Sequence, residues 1–493
     1  MLVKELYYPP RYGPEWGSGG IFGLKYHRGV LYYTLAFEAI AHFIRKDEVK
    51  RYRFELVGSP PASGGDTYNA VDAVDEFIYF GGWVHAPAIY KGKTNGESAT
   101  ISFVNKYSHV HEYDISNDNV RLLWKESIHH ETDWVGEISE IIYDPVNDRL
   151  LLARADGMVN LGVYQLNRRG GEYKKLSELP ALKGAIFHDY ACFDALPNWK
   201  KGASGIQCLE LTSNKSKKVA FDDYSKRSLD GDDVNWPITG VASTTHGRFF
   251  LFVRGGVFIG NPIDESIEPV TFVRMFDFVK SGYYARRTMA KPVGGGILVA
   301  FNAYSEALLY PTDSFEEFLK LATNTIVGPS VLVYITPPVA RIVGAFGARI
   351  TGFELVKDKL VLATSNMANT GRYDATPIDT GYRSILMIDQ SILSNQPPPV
   401  RFSIKGIQVE NKTFGGIPLA GYKEPRLIIN SSIDNKVTIY GYDLSLPLQY
   451  PERDVFAIGK GKNIIELKSY GNSIVAFKLE KADLSSVIKI DLL

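Results

Sequence analysis

The densest run of reactive side chains is His129-His130-Glu131-Thr132-Asp133-Trp134, six consecutive polar, charged or aromatic residues. Turns are built from Gly, Asn and Asp, and have no use for two imidazoles, two carboxylates and an indole in a row. Two opposed carboxylates can work on a glycosidic bond, one as acid and the other as base or nucleophile. The catalytic candidates are Asp66, Glu131, Asp133 and Asp156, with Glu38 and Glu137 behind them. His130 or Arg154 would tune either partner. Taken alone, each carboxylate could equally cap a turn or pair with Arg154 or Arg254. Trp16, Trp83, Trp134 and Trp236 offer flat faces for sugar rings, although Trp83 and Trp134 would serve as well for packing between sheets. Glu38, His42, Asn69, His85, His130, Arg154, Asn160, Arg254 and Asn302 would hold hydroxyl groups by hydrogen bonds.

A second chemistry uses the histidines. His109 and His111 stand two apart in an extended run, so both imidazoles project from one strand face. With His85 and His129 they could form a three-histidine zinc or iron site that keeps an open position. The spacing fixes no further ligand, so the leading expectation is no cofactor, with zinc or iron as the alternative. Other motifs carry less. Gly17-Ser18-Gly19-Gly20 leads into a strand and not a helix, so it is no phosphate loop. There is no Gly-x-Ser-x-Gly elbow. His27 and His246 fall in turns, and His188 reads as a buried residue of an inner strand.

These residues must be positioned by short strands. Residues 138–144 alternate as a strand, Asp144-Pro145-Val146-Asn147-Asp148 is a turn, residues 149–153 are an apolar strand, and 161–166 form a third. Such a meander is the blade of a β-propeller. Similar pairs recur at 20–24 with 30–37, 68–74 with 77–81, 185–196 with 205–211, 238–243 with 248–253, 288–292 with 297–301, 350–355 with 360–364, 415–420 with 426–429, and 463–467 with 474–478. Their starts fall roughly 45 to 65 residues apart, a propeller-like period. The sequence therefore predicts an all-β chain: a propeller of four-stranded blades, seven to nine in number, forming one domain over 1–493. Insertions are expected near 313–324, as a helix, and 368–383, as a loop. Residues 2–8 would close the ring beside 487–492. In that geometry the loops before each first strand and after each second strand share one mouth. The site residues above fall in those loops, as do Arg286 and Arg287, whereas the opposite loops carry ordinary turn residues such as Asp75-Glu76 and Gly294 to Gly296.

Lys and Arg together number 55 and Asp and Glu 55, so no cationic excess supports non-specific nucleic-acid binding. No apolar window of about 18 residues suggests a membrane span. The first residues lack a basic region followed by an apolar run, so a cytoplasmic location is expected. Cys192 and Cys208 read as free thiols, one bridge between them being the alternative. The leading expectation is a glycoside hydrolase, with a non-catalytic propeller scaffold that binds a ligand or partner as the alternative; the expected partner is a small molecule or oligosaccharide, and the oligomeric state is open.

Three stretches look like a known family: Arg11-Tyr12-Gly13-Pro14-Glu15-Trp16-Gly17-Ser18-Gly19-Gly20, Gly64-Gly65-Asp66-Thr67-Tyr68-Asn69, and residues 129–136. They resemble an uncharacterised archaeal family described as a domain of unknown function with a predicted propeller-like fold. The resemblance spans nearly the whole chain and is strongest over its first 170 residues. It implies a crenarchaeal, heat-adapted source and transfers no catalytic residue.

Overall fold

The structure is a computed structural model. It describes residues 2–8 and 20–493, apart from 37, 39, 47, 55–56, 58–62, 66–67, 86–102, 198–201, 236, 281–282, 304–326 and 366–382. The expected helix at 313–324, nearly all of the 368–383 loop, and the side chains of Trp16, Asp66 and Trp236 lie outside the described residues.

The chain is all-β, of propeller type, and its described strands form nine antiparallel sheets, eight of four strands and one of five. Six sheets follow the chain as up-and-down meanders. The third sheet is Ile138–Asp144, Arg149–Arg154, Gly162–Asn167 and Tyr173–Ser177. Its first turn forms because the Asp144 carboxylate accepts from the backbone N–H of Val146 at 2.9 Å and from the Asn147 amide at 2.8 Å. Asp148 then takes a left-handed φ of 50°. The second sheet repeats this device: Asp114 accepts from Ser116 and Asn117, and Asp118 has φ 48°.

Two compact units result. One holds Met1–Val219, Arg287–Met289 and Ile350–Gln390; the other holds Ala220–Arg286, Ala290–Arg349 and Ser391–Leu493. In the first unit the sheets pack face to face. Ile21, Leu31 and Tyr33 of the first sheet meet Val361 and Ile385 of the seventh. Tyr79 and Val110 of the second meet Ile141, Leu150 and Leu152 of the third, and Leu151 and Val163 of the third meet Ala191 and Phe193 of the fourth. The second strand of each sheet is covered on both faces, which is why Arg149–Arg154 is buried throughout.

Four expectations are corrected. The N-terminal strand Leu2–Tyr8 does not lie beside the C-terminal strand. It pairs with Arg383–Asp389, Tyr7 opposite Ser384, as the fourth strand of the seventh sheet. The eighth and ninth units are not blades either. Phe414–Pro418 and Ile474–Leu479 belong to one sheet, whereas Arg426–Ser431 and Gly461–Glu466 belong to another. From Val400 to Leu492 the chain passes back and forth between these two sheets, and both contribute to one apolar cluster that includes Phe402, Ile429, Ile439 and Phe477. That is the construction of a β-sandwich. The cysteines, thirdly, are joined: Cys192 and Cys208 face each other across adjacent strands, with their Cα atoms 4.0 Å apart, and form a disulfide. His188 sits exposed in a hairpin turn with φ 52°, not inside a strand. Among the described residues no helix is long and apolar enough to cross a membrane.

Buried His42 is expected to make the fold sensitive to acid. His42 stacks on Tyr33 with ring centroids 4.8 Å apart. Burial, with the positive charges of Arg51 and Arg383, lowers its pKa to about 4. A histidine depressed on folding contributes stability that is complete above its unfolded value and lost as pH falls from about 6.5 toward 4, here roughly 3 kcal/mol at most. His42→Phe is expected to reduce the drop in melting temperature between pH 7 and pH 4.5; an unchanged drop would assign the acid sensitivity elsewhere.

Candidate functional site

The residues before Ile138–Asp144 are zipped to the loop that follows Arg149–Arg154. Met158 N–H donates to the Trp134 carbonyl, Gly136 N–H to that of Val159, and Glu137 N–H to that of Asp156, at 2.8 to 2.9 Å. The Trp134 indole N–H adds a bond to the Asp156 carbonyl at 3.2 Å. This close approach requires glycine: a Cβ on Gly157 would stand 2.5 Å from Gly136. The zipper sets the Glu137 and Asp156 carboxylates beside each other, both buried.

Each carboxylate has its own support. Tyr68 donates its hydroxyl to Asp156 Oδ2 at 2.6 Å, and the Arg287 guanidinium lies 3.6 Å from the same oxygen while stacking over the Tyr68 ring at 4.5 Å. Lys106 Nζ donates to Glu137 Oε1 at 2.5 Å. Its ammonium sits among three aromatic rings, 4.5 Å from the Trp134 centroid, 4.8 Å from Trp83 and 5.1 Å from Phe103. Glu137 Oε2 is buried and, among the described residues, has no hydrogen-bond partner. Burial first, and then the charge of Asp156, raise the Glu137 pKa to about 7 against the opposing pull of Lys106 and Arg287.

A second buried ion pair involves Glu140, three residues beyond Glu137 on the strand Ile138–Asp144. Lys183 donates to the Tyr68 carbonyl, to the Ser139 carbonyl at 2.7 Å, and pairs with Glu140 at 3.2 Å. Burial lowers the Lys183 pKa and raises that of Glu140 to about 7. Tyr68 joins the two groups, its hydroxyl on Asp156 and its carbonyl on Lys183.

Of the residues expected from sequence, Asp156, Glu137, Trp83 and Trp134 come together here. Glu131 is exposed and Asp133 half-exposed, and His130 accepts from the Asp133 N–H at 3.1 Å within the same loop. Arg154 is wholly buried, pairing with Glu126 at 2.6 Å and lying over Trp124 and Tyr164; Asn160 donates to the same Glu126. Glu38 pairs with Arg383. His85 ends the strand Phe77–His85. His109 and His111 do share a strand face, with their Nδ1 atoms 2.9 Å apart, but they are buried against Phe54 and Phe80. His129 is exposed, its Nδ1 3.1 Å from the Val104 carbonyl. Among the described residues no group of three or more His, Cys, Asp or Glu side chains is placed to hold a metal ion. Arg254 and Asn302 belong to the second unit, where Arg254 donates to the Asn235 and Val279 carbonyls and Asn302 bridges to Tyr284.

Asn69 is a structural pin. Its amide donates to the carbonyls of Thr288 and Thr351, both at 2.9 Å, and accepts from the Gly23 N–H at 2.6 Å, from a backbone at φ 57°. Asn69→Ala is expected to destabilise the first unit by about 3 kcal/mol, because three buried backbone groups lose their partners. A change under about 1 kcal/mol in chemical denaturation would contradict that role.

Lys106, Tyr68 and the central position of Glu137 in this cluster were missed in the sequence. Lys106 carries no motif, and Tyr68 reads as a strand residue. Arg287 had a signal, since it falls in a loop expected at the shared mouth.

A family model described as an uncharacterised protein conserved in archaea (DUF2139) matches residues 31–373, and the chain belongs to that family. No curated protein matches it. Similar solved structures include an exo-β-1,3-galactanase from Phanerochaete chrysosporium, at 8% identity and TM-score 0.29, covering 86% of this chain and 95% of that one. The WD40 β-propeller domain of Doa1 is similar at 7% identity and TM-score 0.39, covering 80% and 98%. The tricorn protease follows at 10% identity and TM-score 0.38, covering 73% and 33%. Likenesses this distant say nothing about activity.

Proposed function

We propose that this member of an archaeal family is a carbohydrate-active enzyme, a glycoside hydrolase in which Glu137 is the general acid and Asp156 the second carboxyl group. The observation that carries the reading is the difference between the two oxygens of Glu137. Oε1 is held by Lys106, while Oε2 is buried and accepts from none of the described residues. A carboxyl raised to about 7 is protonated in roughly half of the molecules at neutral pH. The proton belongs on Oε2, the oxygen that no cation neutralises, and a buried O–H there seeks an acceptor. A glycosidic oxygen placed against it would take that proton as its bond to the anomeric carbon breaks. Asp156, braced by Tyr68 and Arg287, would then stabilise the developing positive charge or activate a water. Trp134, only partly buried, offers a face for the sugar ring.

The test is turnover of a panel of aryl glycosides and short oligosaccharides by wild type, Glu137→Gln and Asp156→Asn. Hydrolysis by wild type that both variants lose supports the reading. A wild type that binds sugars and hydrolyses none of the panel refutes it.

A further inference from the structure

The strand Gly461–Glu466 is an edge strand: among the described residues it is the last of its sheet, paired only with Arg426–Ser431. It belongs to the sandwich, which lies beyond the 31–373 span shared with the family. Exposed edges are usually kept from pairing by charge, and an apolar residue on one is uncommon. Here Lys462, Ile464 and Glu466 all point outward, with Ile464 52% exposed, while Ile465 points into the core. Ile428, half-buried on the neighbouring strand, stands directly beside Ile464 and widens the apolar strip.

This strand is complementary to itself. Two antiparallel copies with a two-fold axis through Ile464 set Ile464 against Ile464 and Lys462 against Glu466 twice. Shifting the sum of paired positions by two in either direction loses this. One register sets Ile464 against Lys462, the other against Glu466, so an apolar side chain faces a charge. Lys460 and Lys468 stand outside the strand, and the short 3-10 turn Lys468–Tyr470 carries the second of them off its line. The lysine that would guard a lone edge thus has a matching carboxylate in a second copy. We propose that the protein forms a two-fold dimer by antiparallel pairing of Gly461–Glu466 with the same strand of another copy, joining two four-stranded sheets into one of eight. The interface is isologous, as a closed dimer requires.

Sedimentation equilibrium over a concentration series tests this with charge reversals on the full chain. Wild type should dimerise. Lys462→Glu alone sets two carboxylates opposite each other, Glu466→Lys alone sets two ammonium groups opposite each other, and each should weaken the dimer at least about tenfold. The double reversal restores opposite charges and should bring the dissociation constant back to within about threefold of wild type. Thermal melts establish that each variant is folded, since Glu466 also pairs with Arg426 of its own chain at 3.0 Å. A wild type that stays monomeric overturns the proposal, and so does a dimer that the single reversals leave intact or the double reversal fails to restore.

Discussion

Glu137→Gln is expected to lower kcat on an aryl glycoside by about a thousandfold or more, while sugar binding changes little. Glutamine keeps the shape and can still accept from Lys106, so the loss isolates the proton. The pH dependence should change as well. In wild type the rate should fall as pH rises through about 7, because the acid form of Glu137 is then lost. That alkaline limb should be missing from the residual activity of Glu137→Gln. A leaving group that needs no protonation, such as fluoride, should recover much of the lost rate. A variant that keeps wild-type kcat with an unchanged profile would show that another group supplies the proton.

The largest loss of stability is expected in the second unit, at Arg274. This guanidinium is fully buried and donates to Asp230 at 2.8 Å, to Asp277, and to the Asp233 carbonyl at 2.9 Å. Asp277 also accepts from Asn235 at 3.0 Å. Arg274→Met leaves two buried carboxylates without their shared cation, a loss of about 5 kcal/mol. Adding Asp277→Asn should recover part of it, since an amide is cheaper to bury than an unpaired charge. Two separate denaturation transitions would be informative: only the one reporting the second unit should move. A shift below about 1 kcal/mol would mean that water or a nearby cation takes over from the guanidinium.

The blades were legible because their contacts are local. Asp114 and Asp144 each open a turn whose chemistry repeats, Asp-x-x-Asn-Asp, and the strands on either side pair with their immediate neighbours. The sandwich was not, because its pairing is remote: Phe414–Pro418 lies against Ile474–Leu479, with four other strands between them in sequence. Apolar runs identify such strands without saying which sheet they join. The disulfide was hidden for a related reason, since Cys192 and Cys208 become neighbours only once strand register is known.

The site was half legible. Side-chain type drew attention to residues 129–134, yet Glu131 and Asp133 face solvent, as charges in a loop ordinarily do. Glu137, three residues beyond that run, is set apart by what cannot be seen in composition. A backbone zipper carries it inward beside Asp156, and Lys106 occupies one of its oxygens. Arg154 shows the reverse case. It sits in a loop-proximal position that suits a ligand, but Glu126, Tyr173 and two aromatic rings already satisfy it.

Titration of the Glu137 carboxyl, followed by carbon NMR on protein labelled at glutamate and assigned with Glu137→Gln, bears most directly on all of this. Its resonance should titrate near 7 in wild type, at lower pH in Asp156→Asn, and at higher pH in Lys106→Met. A carboxyl that titrates in the ordinary range near 4.5, indifferent to both substitutions, would contradict the assignment of Glu137 as the acid.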